Sequence, residues 1–159
     1  MSKKNKQNVK FGVTFVVIIL GIAASFLLTL NAFSTNYNNS NSDLNGLMVA
    51  FGGKWQTTGA ISVTLGTFNF NLLLVIAMLL PAGAAVINGI LNNKLGSLVA
   101  VGLFLLNIIL MLVIKEVSFT PIIGNAIKIQ IKLSTLGIIS LVLSGLGLLA
   151  TGYKLSLDL

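Results

Sequence analysis

The side chains that could do chemistry are few and widely spaced. There are three carboxylates, Asp43, Glu116 and Asp158. Glycoside hydrolysis needs two of them about 5–9.5 Å apart. Asp43 and Glu116 fall on the same side of the topology expected below. However, Asp43 sits in an Asn/Ser-rich segment that is a poor platform for catalysis, and two surface acids is the preferred reading. The chain has no Cys and no His, which excludes thiol nucleophiles, disulfides, zinc–thiolate sites, haem–His ligation and imidazole acid–base chemistry. Gly52-Gly53-Lys54 is too short for a phosphate loop and reads as a turn. No Gly-x-Ser-x-Gly elbow occurs. The expectation is a protein that is not an enzyme, with no cofactor and no metal site.

The remaining polar groups of interest lie inside apolar sequence: Asn31, Asn88 and Asn107, together with hydroxyls. No charged residue sits in the middle of an apolar segment, although proton relays and ion-coupled pumps usually need one. Asn107 is the deepest, and it reads as a cross-helix hydrogen-bonding group before it reads as the lining of a polar path. Pro81 interrupts one apolar segment and predicts a kink there.

These residues must be carried by a membrane-grade chain. Of 159 residues 55% are hydrophobic and 8% charged, with a mean hydropathy of +0.99. Soluble domains carry about a quarter charged residues. The net charge is +7, and all ten basic residues are Lys. Bidentate contacts to phosphate or bases favour Arg, and none is present, so nucleic acid is excluded as a partner. Lys and Asn in place of Arg and Gln is the usage of an AT-rich genome and points to a low-GC bacterial source.

Four apolar segments divide the chain. Residues 1–10 form a Lys-rich tail. Residues 11–33 carry no charge over 23 positions, longer than the ~30 Å hydrocarbon core requires. A cleaved signal peptide is the competing reading, but its apolar region would be only about 7–15 residues. Residues 72–91 form the second span, with a small-residue face that includes Gly83. A turn at 92–94 leads into the third span, 95–114, which must run antiparallel to the second. Residues 135–153 form the fourth span. Its Ser140-x-x-x-Ser144 pattern predicts close helix contact, and 154–159 follow as a tail. Gly83, Asn107, Ser140 and Ser144 are the expected helix-packing residues.

Two loops lie on the side opposite the termini. Residues 34–71 divide into a flexible part, 34–45, and a β-forming part, 46–71. In the latter, Leu47–Phe51, a turn at Gly52-Gly53, and the alternation Ile61, Val63, Leu65 are followed by a parity switch at Gly66 that predicts a bulge. In 115–134 the stretch Ala126–Ser134 alternates Ile127, Ile129, Ile131 and Leu133 with Lys128, Gln130, Lys132 and Ser134, the period of a half-buried strand. Its expected partners are Val117–Thr120, through a Gly124-Asn125 turn, and Ala60–Phe70. Lys3, Lys4, Lys6 and Lys10 ahead of the first span place both termini in the cytoplasm and both loops outside the plasma membrane. The expected fold is a membrane α-helical, four-transmembrane-helix bundle with a small extracellular β-sheet built from the two outer loops.

Two spans enclosing a long β-forming outer loop, then two enclosing a shorter one, is a layout that resembles the claudin-like tetraspan proteins. Gly53-Lys54-Trp55 is similar to the Gly-Leu-Trp of the claudin first loop. The paired Cys that follow that Trp have no counterpart here, and no pore or binding residues are carried over. The expected function is a structural, assembly or interaction subunit, with the bilayer and a membrane or surface protein, or a second copy of the chain, as partners. Trp55, Lys128 and Lys132 are the expected partner-facing residues, although for Trp55, Phe68, Phe70 and Phe119 the packed core of a small sheet, with Phe68 and Phe70 at the membrane interface, is the preferred reading. A channel or transporter component using Asn88, Asn107 and Pro81 is the alternative, and a membrane enzyme ranks third.

Overall fold

The computed structural model describes residues 3–37, 40–57 and 62–157. Asp158, and the Ala60 and Ile61 end of the expected strand, lie outside the described residues. Four long helices, α1 (Lys3–Thr29), α3 (Leu72–Ile90), α4 (Lys94–Val113) and α5 (Thr135–Leu157), are each long and apolar enough to cross a membrane. They pack in the ring order α1–α3–α4–α5, so α3 and α5 face each other across a diagonal.

The four-helix expectation holds, with shifted ends. α1 stops four residues before the expected limit, and Phe33 begins a strand instead. α5 runs past residue 153 and takes Lys154 into the helix rather than a tail. Asparagines mark two of the starts. Asn71 Oδ1 accepts from Leu74 N–H at 3.1 Å, and Asn93 Oδ1 from Gly96 N–H at 2.8 Å. Each fills one of the orphan donors of a first helical turn.

The bundle is inside-out relative to a soluble one. Large apolar residues such as Phe15, Ile22, Leu79, Leu105 and Val142 face outward, while Ala24, Ala84, Ala100, Asn88 and Asn107 are buried. α5 makes the rule visible. Its buried residues are Gly137, Ser140, Ser144, Gly147, Thr151 and Lys154, alternating three and four apart, the seam of a left-handed helix pair. At Gly147 an added Cβ would stand 2.6 Å from the Phe104 ring, so the glycine is what lets that ring reach the centre.

Among the described residues, seven strands gather at one end of the bundle, beyond the last turns of α1 and α4 and the first turns of α3 and α5. They form two sheets where one was expected. β1 (Phe33–Tyr37), β2 (Ser40–Leu44) and β7 (Lys132–Leu133) make a three-stranded sheet in the order β2–β1–β7. β3 (Lys54–Gln56), β4 (Thr64–Phe68), β5 (Glu116–Pro121) and β6 (Ile127–Gln130) make a four-stranded sheet in that order. All the strand pairings are antiparallel.

Three expectations are corrected. Where 34–45 was expected as a flexible loop, Phe33–Tyr37 and Ser40–Leu44 form the paired strands β1 and β2, with Phe33 and Thr35 buried and Tyr37 half-buried. Leu47–Phe51 is not a strand but lies in a short helix, α2 (Gly46–Phe51). Asn45 Oδ1 caps it, and Gly52 ends it at φ +85°, which leaves no hairpin turn there. Ala126–Ser134 is not one strand. It breaks at Ile131, whose N–H donates to Lys115 O at 2.8 Å, and its halves serve different sheets. β6 pairs with β5 as expected (Val117 opposite Ile129), but β4 pairs with the far side of β5, and the partner of β7 is β1. The alternation holds only in the middle: Ile129 and Ile131 are buried while Lys128, Gln130 and Lys132 are exposed, but Ile127 is exposed and Leu133 half-buried. The bulge expected at Gly66 lies one residue away. Trp55 faces Gly66 and Gln56 faces Thr64, so Leu65 is the extra residue.

The two sheets and the helix ends share one core, which includes Leu28, Phe33, Leu44, Trp55, Phe68, Leu74, Met111 and Phe119. Trp55, Phe68 and Phe119 stack with ring centroids 5.2–5.8 Å apart, and Tyr37 of the first sheet meets Trp55 at 5.7 Å and Phe119 at 5.8 Å. Tilted pairs of this kind contribute about 0.5–1.5 kcal/mol each beyond burial. Thr35 Oγ1 also donates to Gln130 O at 2.7 Å, a second tie between the sheets.

Candidate interaction site: the cleft between two sheet edges

β2 is an outer strand of the first sheet, and β3 is an outer strand of the second. A cleft of about 920 Å³ lies between them. Asn41, Ser42 and Asp43 line it from β2, and Lys54, Trp55 and Gln56 from β3. Asn31 and Asn45, on either side of the first hairpin, complete its polar wall. Consecutive residues of each strand reach the cleft, so the strands present their edges to it as well as alternate side chains. Sheet edges and amide side chains both offer donors and acceptors. Among the described lining residues there is one carboxylate, Asp43, and one ammonium, Lys54, both exposed. This chemistry suits binding of a polar, hydrogen-bonding surface.

Trp55 contributes to the floor of the cleft more than to its walls. It is 5% exposed and belongs to the aromatic core beneath the cleft. Lys128 and Lys132 are exposed, but each lines a separate groove beside the end of α4. Asp43 and Glu116 are not brought together: Asp43 lines the cleft, and Glu116 lines the grooves shared with those lysines.

Several polar residues within the bundle bond to other helices, whereas Asn88 Nδ2, Ser97 Oγ and Asn107 Oδ1 are buried without a hydrogen-bond partner among the described residues. Pro81 lacks an N–H, so the Ala77 carbonyl four residues earlier has no helical donor. Asn107 Nδ2, on α4, donates to that carbonyl at 2.6 Å. One residue after the proline, Ala82 N–H donates to Ser25 Oγ of α1 at 2.9 Å. Side chains from both neighbouring helices thus satisfy the backbone around the proline, and α3 continues as a single helix through it. Ser140 Oγ donates to Ala24 O at 2.8 Å, joining α5 to α1. Ser144 is fully buried in the same seam, and its Oγ has no hydrogen-bond partner. Gly83 has an open contact, with only Leu103 Cδ1 within 4 Å of an added Cβ, at 3.9 Å.

Sequence reasoning missed the role of Lys154. The residue is fully buried, and its Nζ donates to Asn88 Oδ1 at 2.9 Å and Asn88 O at 3.3 Å, across the bundle diagonal. The three-and-four spacing of the α5 seam, extended one step past Thr151, would have found it. Gly21 was missed too: an added Cβ there would clash with Pro81 O and stand 2.8 Å from Ala85 Cβ. Comparison with protein-family models, with curated proteins and with solved structures finds no match.

Proposed function

We propose that the chain is a non-catalytic, multi-pass plasma-membrane protein. Its four long helices cross the bilayer, both termini are cytoplasmic, and the two sheets form an extracellular cap that engages a membrane or surface protein, or a second copy of the chain. The observation that carries this reading is the polar cleft between the β2 and β3 edges. An edge strand with unpaired backbone groups is a template for strand addition, and amide-rich walls offer hydrogen bonds to an extended polypeptide. The outward-facing apolar surface of the helices supports the bilayer placement. Lys3, Lys4, Lys6 and Lys10 at the opposite end from the sheets support the orientation.

The test is site-specific photocrosslinking in intact cells. A benzophenone side chain at Ser42 or Gln56 is expected to yield one discrete crosslinked species, and the same group at Ser156 is not. Crosslinking from neither cleft position, with the chain purifying as a lone monomer in gentle detergent, overturns the reading. A channel or transporter component has less support, because Asn88 and Asn107 are fully buried, with Asn107 Nδ2 bonded to α3 and Asn88 Oδ1 to Lys154 of α5. The claudin-like resemblance remains one of layout.

A further inference from the structure

We infer that the groove between the outer ends of α4 and α5 binds one anionic phospholipid, headgroup against the sheets and an acyl chain along the helices. This rests on the reading that these helices cross a bilayer. The groove holds about 610 Å³. Its helical wall is hydrocarbon: Met111 and Leu112 of α4 and Ile138 and Leu141 of α5. The end beside the sheets changes character at once. Lys115, two residues past the end of α4, and Lys132 of β7 stand there with Glu116. Two ammonium groups against one carboxylate leave a single positive charge, which a phosphodiester monoanion matches. A free phosphate would leave the apolar wall unused, and a neutral lipid would leave the charge unmatched. The order of apolar wall then cationic rim is the order of a phospholipid met from the bilayer centre outward.

Two neighbouring grooves sharpen the assignment. The one between the ends of α3 and α4 holds about 470 Å³ and shares Lys115 and Glu116, with Lys128 in place of Lys132. Lys115 therefore stands between two cationic rims, one on each flank of α4. The groove between α1 and α3 holds about 340 Å³, is lined by residues such as Phe26, Phe51 and Leu79, and has no charged residue. It offers hydrocarbon contact without a headgroup preference and serves as an internal control.

The experiment uses the full chain, which has no native Cys, in vesicles of phosphatidylcholine. A Cys-linked bimane is placed either at Val142, one turn beyond Ile138, or at Leu79 in the uncharged groove. Phosphatidylglycerol or phosphatidylcholine with brominated acyl chains is titrated as the quencher. At Val142 phosphatidylglycerol is expected to quench at roughly fivefold lower concentration than phosphatidylcholine, as the single net positive charge implies. At Leu79 the two lipids quench alike. Lys115→Gln with Lys132→Gln abolishes the preference at Val142, Lys4→Gln with Lys6→Gln leaves it, and glycerol phosphate does not relieve the quenching. Equal quenching at Val142 in the native chain, a preference that survives the Lys115/Lys132 double substitution, or relief by glycerol phosphate overturns the lipid site while leaving the bilayer reading intact. Absence of quenching at Leu79 by either lipid overturns the bilayer reading, and the lipid site with it.

Discussion

At the scale of single residues, Ser25, Asn107 and Ser140 each bond to the backbone of a neighbouring helix. Asn107 restores a donor to the carbonyl that Pro81 leaves bare. Replacing Asn107 with Leu removes the donor and leaves Ala77 O unpaired. The expected loss is about 0.6–1.7 kcal/mol, read as a lowered thermal midpoint of the detergent-solubilised chain. In a Pro81→Ala background the same substitution should cost less, because the alanine N–H can reach Ala77 O. An equal cost in both backgrounds would show that the proline and the asparagine are not coupled. Lys154 carries a larger stake. Lys154→Met keeps the length of the side chain but leaves Asn88 Oδ1 without its ammonium donor inside the bundle. A loss of roughly 1–3 kcal/mol is expected from the unsatisfied buried group, and an unchanged thermal midpoint would contradict the latch.

At the scale of elements, α5 sets its small-residue seam against both of its neighbours, α1 and α4. Its seam of Gly137, Ser140, Ser144, Gly147, Thr151 and Lys154 admits Phe104 at one level and the α1 backbone at another. Gly147→Leu is expected to push α4 away from α5 and lower the thermal midpoint by several degrees, at a cost of about 1–3 kcal/mol from overpacking. Phe104→Ala should cost less in that background than in the native one, since each change relieves the other. Strict additivity in this double-mutant cycle would argue against direct contact. The strand halves on either side of Ile131 teach a related lesson. Their alternation of Ile with Lys or Gln is plain in the sequence, yet the pairing partner of β7 lay in a segment whose composition reads as loop. The clue was Phe33-x-Thr35-x-Tyr37, a short alternation of β-forming residues hidden among Asn and Ser.

At the scale of the whole molecule, charge and architecture are segregated by end. The sheets, the cleft and the Lys115/Lys128/Lys132 rim occupy one end of the bundle. The N-terminal lysines, the α3–α4 turn and Lys154 occupy the other, where Thr14 Oγ1 meets Asn92 Oδ1 at 3.2 Å. The proposed topology makes a direct prediction. A Cys at Asn41 should react with a membrane-impermeant maleimide in intact cells, whereas a Cys at Ser156 should react only after lysis. The reverse pattern would turn the molecule over and put the cap in the cytoplasm.

The amino-acid sequence by itself determined the four long apolar helices, the polar break after each, and the side-chain alternation near the chain's second loop. These are local properties: hydropathy over about twenty residues and a period of two. It also contained Asn71 and Asn93 as helix starts and the seam of α5. Only the tertiary structure decided that Trp55 meets Tyr37 of the other sheet, that Asp43 and Glu116 stand apart, that Asn107 answers Pro81, and that Lys154 meets Asn88. Each depends on which distant backbone group comes within hydrogen-bonding or van der Waals reach, a property that no window of neighbouring residues carries. The same is true of the cleft, because its two walls, β2 and β3, are outer strands of different sheets and face one another only once the aromatic core has joined those sheets.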